Sequence, residues 1–246
     1  MKSIQQNIQD VEWKISIPVL EKHKRFTLFT KEIYDRSKPD GRWSKPSMII
    51  MAEKGSFPWI ENLLCSISEY SRYTFVSVFT TDRETTLQVA TRFPMLSMCE
   101  LNFDELLENS SGIFDNEVRR RLFDIVRLRI GAILARKQMD VLIASPRQIW
   151  TADLFKRPLY TDHKDRKRIR HAYGIAVQKM EPDDEEGVGS AIDLQSFFVL
   201  GGAAPEGASI FEHSAEVVSR RFVSADAALT YMCDSSKAYL CRSIPP

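Results

Sequence analysis

Between residues 47 and 145, short apolar runs alternate with segments of helical periodicity, and this alternation most limits the folds open to the chain. The runs SMIIMA (47–52), TFVSVFT (74–80) and MDVLIAS (139–145) have the length and the apolar content of fully buried strands. A weaker run near Met95–Leu101 predicts a further strand. Strands that alternate with helices predict an α/β fold, with a mostly parallel central sheet flanked by helices on both faces.

Three segments between these runs have the pattern of helices. Pro58 is tolerated in the first turn of a helix whose apolar residues recur at helical spacing as far as Ile67. Asp82 precedes a helix predicted over 83–92 and is placed to cap it, because an aspartate there accepts hydrogen bonds from the free amides of the first turn. The strongest pattern is NEVRRRLFDIVRLRIGAILARKQ (116–138), which keeps apolar residues on one face throughout.

The alternation stops beyond Trp150. A basic loop, YTDHKDRKRIRHAYG, and an acidic loop, EPDDEEGVGS, flank a predicted strand in AYGIAVQKM. A strand at 194–202, helices starting at Pro205 and near Ala225, and a last strand in KAYLC follow. We expect this third of the chain to contribute a small antiparallel part of the sheet. Residues 1–45 are expected to form an N-terminal extension packed on a single domain that spans 46–246.

Composition excludes several classes of protein. The 34 lysines and arginines against 33 acidic residues give a net charge of +1, which argues against a dedicated nucleic-acid binder. The four cysteines form no CxxC pair and lie in apolar surroundings, so they are interpreted as buried reduced thiols of a cytoplasmic protein. The N-terminus lacks a secretory pattern, and no apolar run reaches the roughly 18 residues of a membrane span, so a soluble protein is expected.

Several common catalytic motifs are missing from the sequence. It contains no GxxxxGK[ST], GxGxxG, HExxH or GxSxG, so phosphate-loop, dinucleotide-binding, zinc-protease and hydrolase sites have no motif support. The four histidines are scattered and pair with no cysteine or carboxylate at ligand spacing, which argues against a zinc site. Function must therefore be read from another pattern.

That pattern is the segment Arg127–Phe155, RLRIGAILARKQMDVLIASPRQIWTADLF. It resembles the core of the nucleotide-diphospho-sugar transferases, the GT-A glycosyltransferase superfamily. There a long helix with a basic residue leads into a buried strand, an Asp-x-Asp, an apolar residue with a Trp, and an Asp-Pro-Leu-like turn. Asp140-Val141-Leu142, Ile149-Trp150 and Asp153-Leu154-Phe155 match this layout. The resemblance implies a GT-A fold and the transfer of a sugar from a nucleoside diphosphate sugar to a glycan or protein acceptor.

The Asp-x-Asp is replaced here by Ser145-Pro146-Arg147. In the family the two carboxylates hold a divalent metal such as manganese, which bridges the donor's phosphates, because hard cations prefer carboxylate oxygens. A serine cannot replace a carboxylate, and Arg147 repels a cation, but a guanidinium can contact a diphosphate directly. The resemblance then implies a donor site that uses Ser145 and Arg147 with no metal cofactor. The alternative is a decayed site with Arg147 on the surface.

Three further positions match the family's site. Asp82 falls where a residue at the end of the second strand meets the nucleoside, and Arg127 falls where the family carries a basic residue for the diphosphate. Asp226 matches an acid near the acceptor and is the predicted catalytic residue. Each has a plainer alternative: Asp82 caps a helix, Arg127 belongs to a solvated arginine face, and Ser224 or Asp226 caps the last helix.

Two functions from different classes follow from this resemblance. One is a glycosyltransferase that works without an Asp-x-Asp-bound metal. The other is a catalytically inactive binding or scaffolding protein that keeps the GT-A fold without its chemistry, because a shared fold does not guarantee a shared activity. An unrelated α/β protein is the third alternative.

Overall fold

The structure of the chain is a computed structural model that describes residues 3–37, 47–70, 73–108, 115–150, 175–179, 192–200, 204–221, 223–235 and 241–244. The strands in chain order are β1 Ser47–Ala52, β2 Val76–Thr80, β3 Ser97–Glu100, β4 Val141–Ala144, β5 Ile175–Lys179, β6 Ile192–Val199 and β7 Cys241–Ile244. The helices are α1 Ile4–Val11, α2 Ile17–Lys22, α3 Lys24–Ser37, α4 Phe57–Ser68, α5 Arg83–Arg92, α6 Phe103–Leu107, α7 Asn116–Arg136, α8 Ala204–Arg220 and α9 Ala225–Ser235.

The strands form one sheet in the order β3-β2-β1-β4-β6-β5-β7. Neighbours from β3 to β4 are parallel, β6 is antiparallel to both β4 and β5, and β7 is parallel to β5. The predicted α/β fold, with a mostly parallel sheet and a small antiparallel part from the last third of the chain, is confirmed. The carboxyl ends of β1, β2 and β4 therefore meet at one edge of the sheet.

Alternate residues of the central strands face two separate cores. Ile49 and Ile143 point to the core that contains α7 and α8, whereas Met48 and Leu142 point to the core beneath α4 and α5. All six residues of β1 are buried, because the strand has helices on both faces. This explains why its sequence is a continuous apolar run and does not alternate.

The helix α7 lies across one face of the sheet and packs against α8. At the crossing of the two helices, a Cβ atom on Gly131 would lie 3.1 Å from the ring of Phe211. A glycine is needed there because the Phe211 ring occupies the space that a side chain would take. Phe211 in turn contacts Phe197 of β6 at a ring-centroid distance of 5.4 Å, which links the two helices to the sheet.

The three N-terminal helices pack on the same face as α7. Their apolar residues, among them Ile8, Phe26 and Ile33, are fully or almost fully buried in that core. The Arg129 guanidinium of α7 donates to the Glu12 carbonyl at 2.8 Å, which ties α7 to the turn after α1. Residues 38–46 lie outside the described part of the chain, and the domain boundary near residue 45 stays a prediction.

The prediction of four buried reduced thiols is wrong. Cys233, in α9, and Cys241, at the start of β7, form a disulfide, Cys65 is exposed, and only Cys99 is a buried free thiol. Burial raises the pKa of the Cys99 thiol to about 12, so this thiol stays protonated. Disulfides persist mainly in oxidising compartments, so cysteine content gives no support to the cytoplasmic location, which stays a prediction.

Two further features concern the chain ends and membranes. The last strand begins at Cys241, where the predicted strand KAYLC ends, and residues 236–240 lie outside the described chain. Among the described residues, no helix is long and apolar enough to cross a membrane.

Candidate functional site

The carboxyl ends of β1 and β2 and the first two turns of α7 enclose a cleft of about 510 Å³. Its volume is in the range of sites for small molecules. Its walls carry both charge signs, with three acidic and three basic side chains: Glu53, Asp82, Asp104, Lys54, Arg119 and Arg120. Phe103 and Phe123 supply apolar surface. A ligand with both a flat ring and anionic groups would match this lining.

Asp82 combines the two roles that its sequence position allows. Its Oδ1 atom accepts the backbone N–H of Thr85 at 2.8 Å, so the predicted helix cap of α5 is confirmed. The residue also lines the cleft, although it is only 4% exposed. Its buried Oδ2 atom has no hydrogen-bond partner among the described residues. A buried acceptor without a partner is costly, which makes Oδ2 a place where a ligand N–H or O–H would be stabilised.

Arg127 lies inside the protein and is 7% exposed. Its guanidinium lies 5.5 Å from the ring centroid of Phe197 in β6, a cation–π contact across the helix–sheet interface. The alternative that Arg127 belongs to a solvated face is therefore wrong. A solvated face is instead formed by other arginines of α7. Arg119 pairs with Asp104 and Arg120 pairs with Glu117, and in each ion pair at least one side chain is well exposed.

The turn after β4 carries Ser145 and Arg147, two of the predicted donor-binding residues. Ser145 is half-buried and its hydroxyl accepts the backbone N–H of Arg147 at 3.3 Å, while the Arg147 side chain is exposed. Burial raises the pKa of Glu53, which follows β1, and Arg147, Arg120 and Arg127 oppose that shift in decreasing order. Arg127 and Arg147 do not line the cleft. Both lie within electrostatic range of Glu53, and Glu53 does line it.

Asp226 lies in the first turn of α9 and is half-buried. The Ser224 hydroxyl accepts the Ala227 N–H at 3.2 Å, so Ser224 caps this helix. The start of α9 is held against α7 because Arg121 donates to the Val223 carbonyl at 2.9 Å. This attachment brings Asp226 into electrostatic range of a second carboxyl group on α7, Asp124.

Asp124 lies near the cleft but was not predicted from the sequence. Burial raises the pKa of its carboxyl to about 6; Arg127 opposes the shift, and Asp226 and Glu53 add to it. Sequence patterns contained a signal for it: Arg120, Asp124 and Arg127 are spaced to share one face of α7. Glu53 was missed as well, although it directly follows a buried strand whose carboxyl end lies at the ligand-binding edge of a parallel sheet.

The side chains at the end of β4, Ser145 and Arg147, do not fit a divalent metal ion, because hard cations prefer carboxylate oxygens. The nearby acids Glu53 and Asp124 each lie among arginines. Within the described parts of the chain, no group of three His, Cys, Asp or Glu side chains is arranged to hold a metal ion. Positive charge at this edge comes from Lys54 and from several guanidinium groups.

No protein-family model matches the chain, and no curated protein matches its sequence. Solved structures do match its fold. Mouse xyloside xylosyltransferase 1 aligns with a TM-score of 0.53 at 10% identity, over 82% of this chain and 85% of that protein. The glycosyltransferase GlyE of Streptococcus pneumoniae TIGR4 and the bifunctional glycosyltransferase WbbM each align with a TM-score of 0.50 at 11% identity over 82% of this chain.

The chain covers 45% of the GlyE chain and 39% of the WbbM chain, so it matches less than half of either structure. At such low identity the likeness shows the fold alone. The architecture is the GT-A-like fold of glycosyltransferases, as the resemblance implied.

Proposed function

We propose that the chain is a glycosyltransferase that binds a nucleoside diphosphate sugar in the cleft at the ends of β1 and β2. The observation that carries this proposal is that Asp82, a residue that lines that cleft, has a buried Oδ2 atom without a protein partner among the described residues. It lies at the edge where ligands bind in α/β sheets. The acceptor would be a glycan or a protein, as the resemblance implies.

The hydrogen bonding of Asp82 favours a uracil base. Because Oδ1 already accepts the Thr85 N–H, one carboxylate oxygen is left to accept from a ligand. Uracil presents a single ring N–H between two carbonyl groups, which one oxygen can satisfy. Guanine presents two adjacent donors that are best met by both oxygens of a carboxylate. Uridine diphosphate sugars are therefore the preferred donors of this proposal.

The diphosphate would lie beside Arg127 and Arg147, with the Ser145 hydroxyl as a further donor. Both arginines lie within electrostatic range of the cleft residue Glu53 and oppose the rise of its pKa. Their fixed positive charges would stabilise the charge that develops on the departing diphosphate, the role that a metal ion has in the family. Under this proposal, donor binding needs no added metal.

The acceptor would approach from the side of α9, where Asp226 would orient its hydroxyl group or accept its proton. A carboxylate near a reacting hydroxyl can do either. Ser224 supplies the cap of α9, so the Asp226 carboxylate is not required for that purpose.

Thermal unfolding with nucleotides tests the donor site. UDP, GDP, UDP-glucose, UDP-xylose and GDP-mannose would each be added at saturation, with and without manganese. A ligand at about 100 times its dissociation constant adds roughly 2.7 kcal/mol, which raises the melting temperature by several degrees. We expect uridine nucleotides to give this rise without manganese, and Arg147→Ala to reduce it. The absence of a rise with all five compounds overturns the proposal.

Asp82→Asn tests the base assignment without removing the helix cap. Asparagine caps helices as well as aspartate does, but its NH2 group would meet the ligand N–H with a second donor. We expect this variant to keep its melting temperature and to lose the stabilisation by UDP. Arg83→Ala is the matched control, because Arg83 is the neighbouring residue, is 60% exposed and pairs with Glu100. An undiminished UDP effect in Asp82→Asn contradicts the assignment.

Measuring the release of UDP from a UDP-sugar distinguishes a glycosyltransferase from an inactive binding protein. A glycosyltransferase frees UDP from a UDP-sugar, slowly with water and faster with a suitable acceptor, whereas an inactive binding protein holds the donor intact. UDP release that depends on Asp226 supports the enzyme. Stabilisation by UDP-sugars with no release across a panel of glycan and peptide acceptors favours the inactive GT-A-fold protein.

A further inference from the structure

One face of α7 alternates positive and negative charge next to the cleft. Asp124 lies four residues after Arg120 and three before Arg127, so the three side chains share this face. Arg120 lines the cleft and Arg127 is buried under β6. An anion that binds at Arg120 in the cleft therefore lies near the Asp124 carboxyl, which is one helical turn further along the same face.

The charged groups around Asp124 come from three elements. Arg120 and Arg127 are on α7 itself, Glu53 follows β1, and Asp226 is on α9. The ionised carboxylate is opposed by burial and by the two neighbouring acids, and these outweigh the arginines, so the pKa of Asp124 rises to about 6. The pKa of the Asp124 carboxyl is therefore close to neutral pH, so a small change in its surroundings changes its protonation.

We propose that Asp124 takes up a proton when the donor diphosphate binds beside Arg127, its neighbour on this face of α7, so that donor binding is linked to protonation. This inference rests on the proposed function, because it needs a nucleoside diphosphate sugar in the cleft. The bound diphosphate adds negative charge to a face that already holds a carboxylate and engages the arginines that stabilise it. Linkage is reciprocal, so protonation of Asp124 strengthens donor binding to the same extent.

The direction of the pH effect follows from these charges. Below about pH 6 the carboxyl is already neutral in the free protein, so affinity for the donor is highest and constant. Above that pH the free protein must gain a proton on binding, so affinity falls as pH rises. The sharpest probe is a nucleoside diphosphate sugar, because its charge is constant over this range. Free UDP is unsuitable, since a terminal phosphate titrates near pH 6 itself.

Isothermal titration calorimetry tests the inference. The probe is whichever of UDP-glucose, UDP-xylose and GDP-mannose stabilises the protein most, titrated between pH 5.5 and 8.5. We expect the dissociation constant to rise about tenfold from pH 5.5 to 7.5. At pH 7.5, the heats in HEPES and Tris should differ by an amount that shows proton uptake. This comparison uses the unmodified protein and needs no variant.

The variant Asp124→Asn tests whether Asp124 is the group that takes up the proton. We expect it to remove the pH dependence and to bind the donor at pH 7.5 as tightly as the parent protein does at pH 5.5. Asp104→Asn is the matched control: Asp104 lines the same cleft, is exposed and pairs with Arg119 at 2.7 Å, so its variant should keep the pH dependence.

The outcomes separate the two proposals. Donor binding with no pH dependence and no proton uptake overturns the role of Asp124 and leaves the donor site intact. A pH dependence that persists in Asp124→Asn overturns it as well. Absence of binding by the parent protein at every pH overturns the donor site, and this inference with it.

Discussion

Both halves of α7 contribute buried residues, but these residues are of different kinds. Residues 130–135 are apolar and pack against α8, where the Phe211 ring fits over Gly131. Residues 117–127 include two buried arginines, Arg121 and Arg127, at 8% and 7% exposure. One end of the helix therefore builds the core, and the other end holds these buried arginines and also places Arg119 and Arg120 in the wall of the cleft.

Burying charge is costly unless other groups compensate it, whereas burying apolar surface is favourable in itself. Arg121 is compensated by Glu117 and by the Val223 carbonyl, and its contacts attach α9 to α7. Arg127 rests on the Phe197 ring and lies near Asp124 and Glu53. Buried charge at one end of a long helix is thus a better indicator of a functional site than the apolar pattern of the other end.

The largest expected effect is a loss of stability when the packing at the apolar end of α7 is disrupted. Phe211→Ala removes a fully buried ring that contacts Gly131 and Phe197, and should lower the free energy of unfolding by about 3–5 kcal/mol. Urea unfolding measures this. Phe123→Ala, at the cleft end of the same helix, is the comparison: Phe123 is 7% exposed and should cost less stability but weaken nucleotide binding. Equal losses of stability in the two variants would contradict a division of roles along α7.

A smaller effect on stability is expected from the charged end of α7, where Asp124 lies. The folded-state pKa of Asp124, about 6, lies above the usual value of 3.8, so the native state binds more protons than the unfolded state between these values. Stability therefore falls as pH rises through this window, and the full penalty is present above about pH 6. Asp124→Asn should raise the free energy of unfolding by about 2 kcal/mol at pH 7.5 and by little near pH 4.

Urea unfolding of parent and variant at both pH values is the measurement, with Asp104→Asn as a carboxylate that should show no such gain. A variant that is less stable than the parent protein at pH 7.5 would show that the Asp124 carboxylate stabilises the fold, contrary to this account.

The smallest effect concerns exposed charge on the same helix. Arg119 pairs with Asp104 at 2.7 Å, and both side chains are at least a third exposed, so Arg119→Ala should change the free energy of unfolding by less than about 1 kcal/mol. Arg121→Ala, two residues along, should cost more, because Arg121 is buried and its loss leaves the partly buried Val223 carbonyl without this donor. Thermal unfolding of the pair measures the contrast, and a larger loss in Arg119→Ala would reverse it.

Local patterns predicted most elements of the fold. The helix over 83–92, its Asp82 cap and the strand at 47–52 have the predicted bounds, because periodicity, capping and buried apolar runs depend on neighbouring residues. The predicted last strand, at residues 237–241, lies outside the described residues except for Cys241, and the cysteines were misassigned. The pairing of Cys233 with Cys241 depends on how α9 meets β7, and apolar neighbours do not encode that meeting.

The site was predicted less completely than the fold. Asp82 was found because it ends a strand, and the structure places it in the cleft. Glu53 and Asp124 were missed because each looks, in sequence, like a solvated acid beside an apolar run. Their importance comes from burial and from charges on other elements. The roles of Arg127, Ser145, Arg147 and Asp226 remain predictions for the experiments above.

The sequence by itself determined the alternation of strands and helices, the caps and the apolar faces, and through its resemblance it pointed to the GT-A-like fold. Those features are local, so each is written in a few consecutive residues. Only the tertiary structure decided which charges meet: it brings Glu53 from β1, Asp124 from α7 and Asp226 from α9 into one electrostatic group. The physical reason is that charge interactions and desolvation depend on distance in space and on burial, which arise only when distant segments pack together.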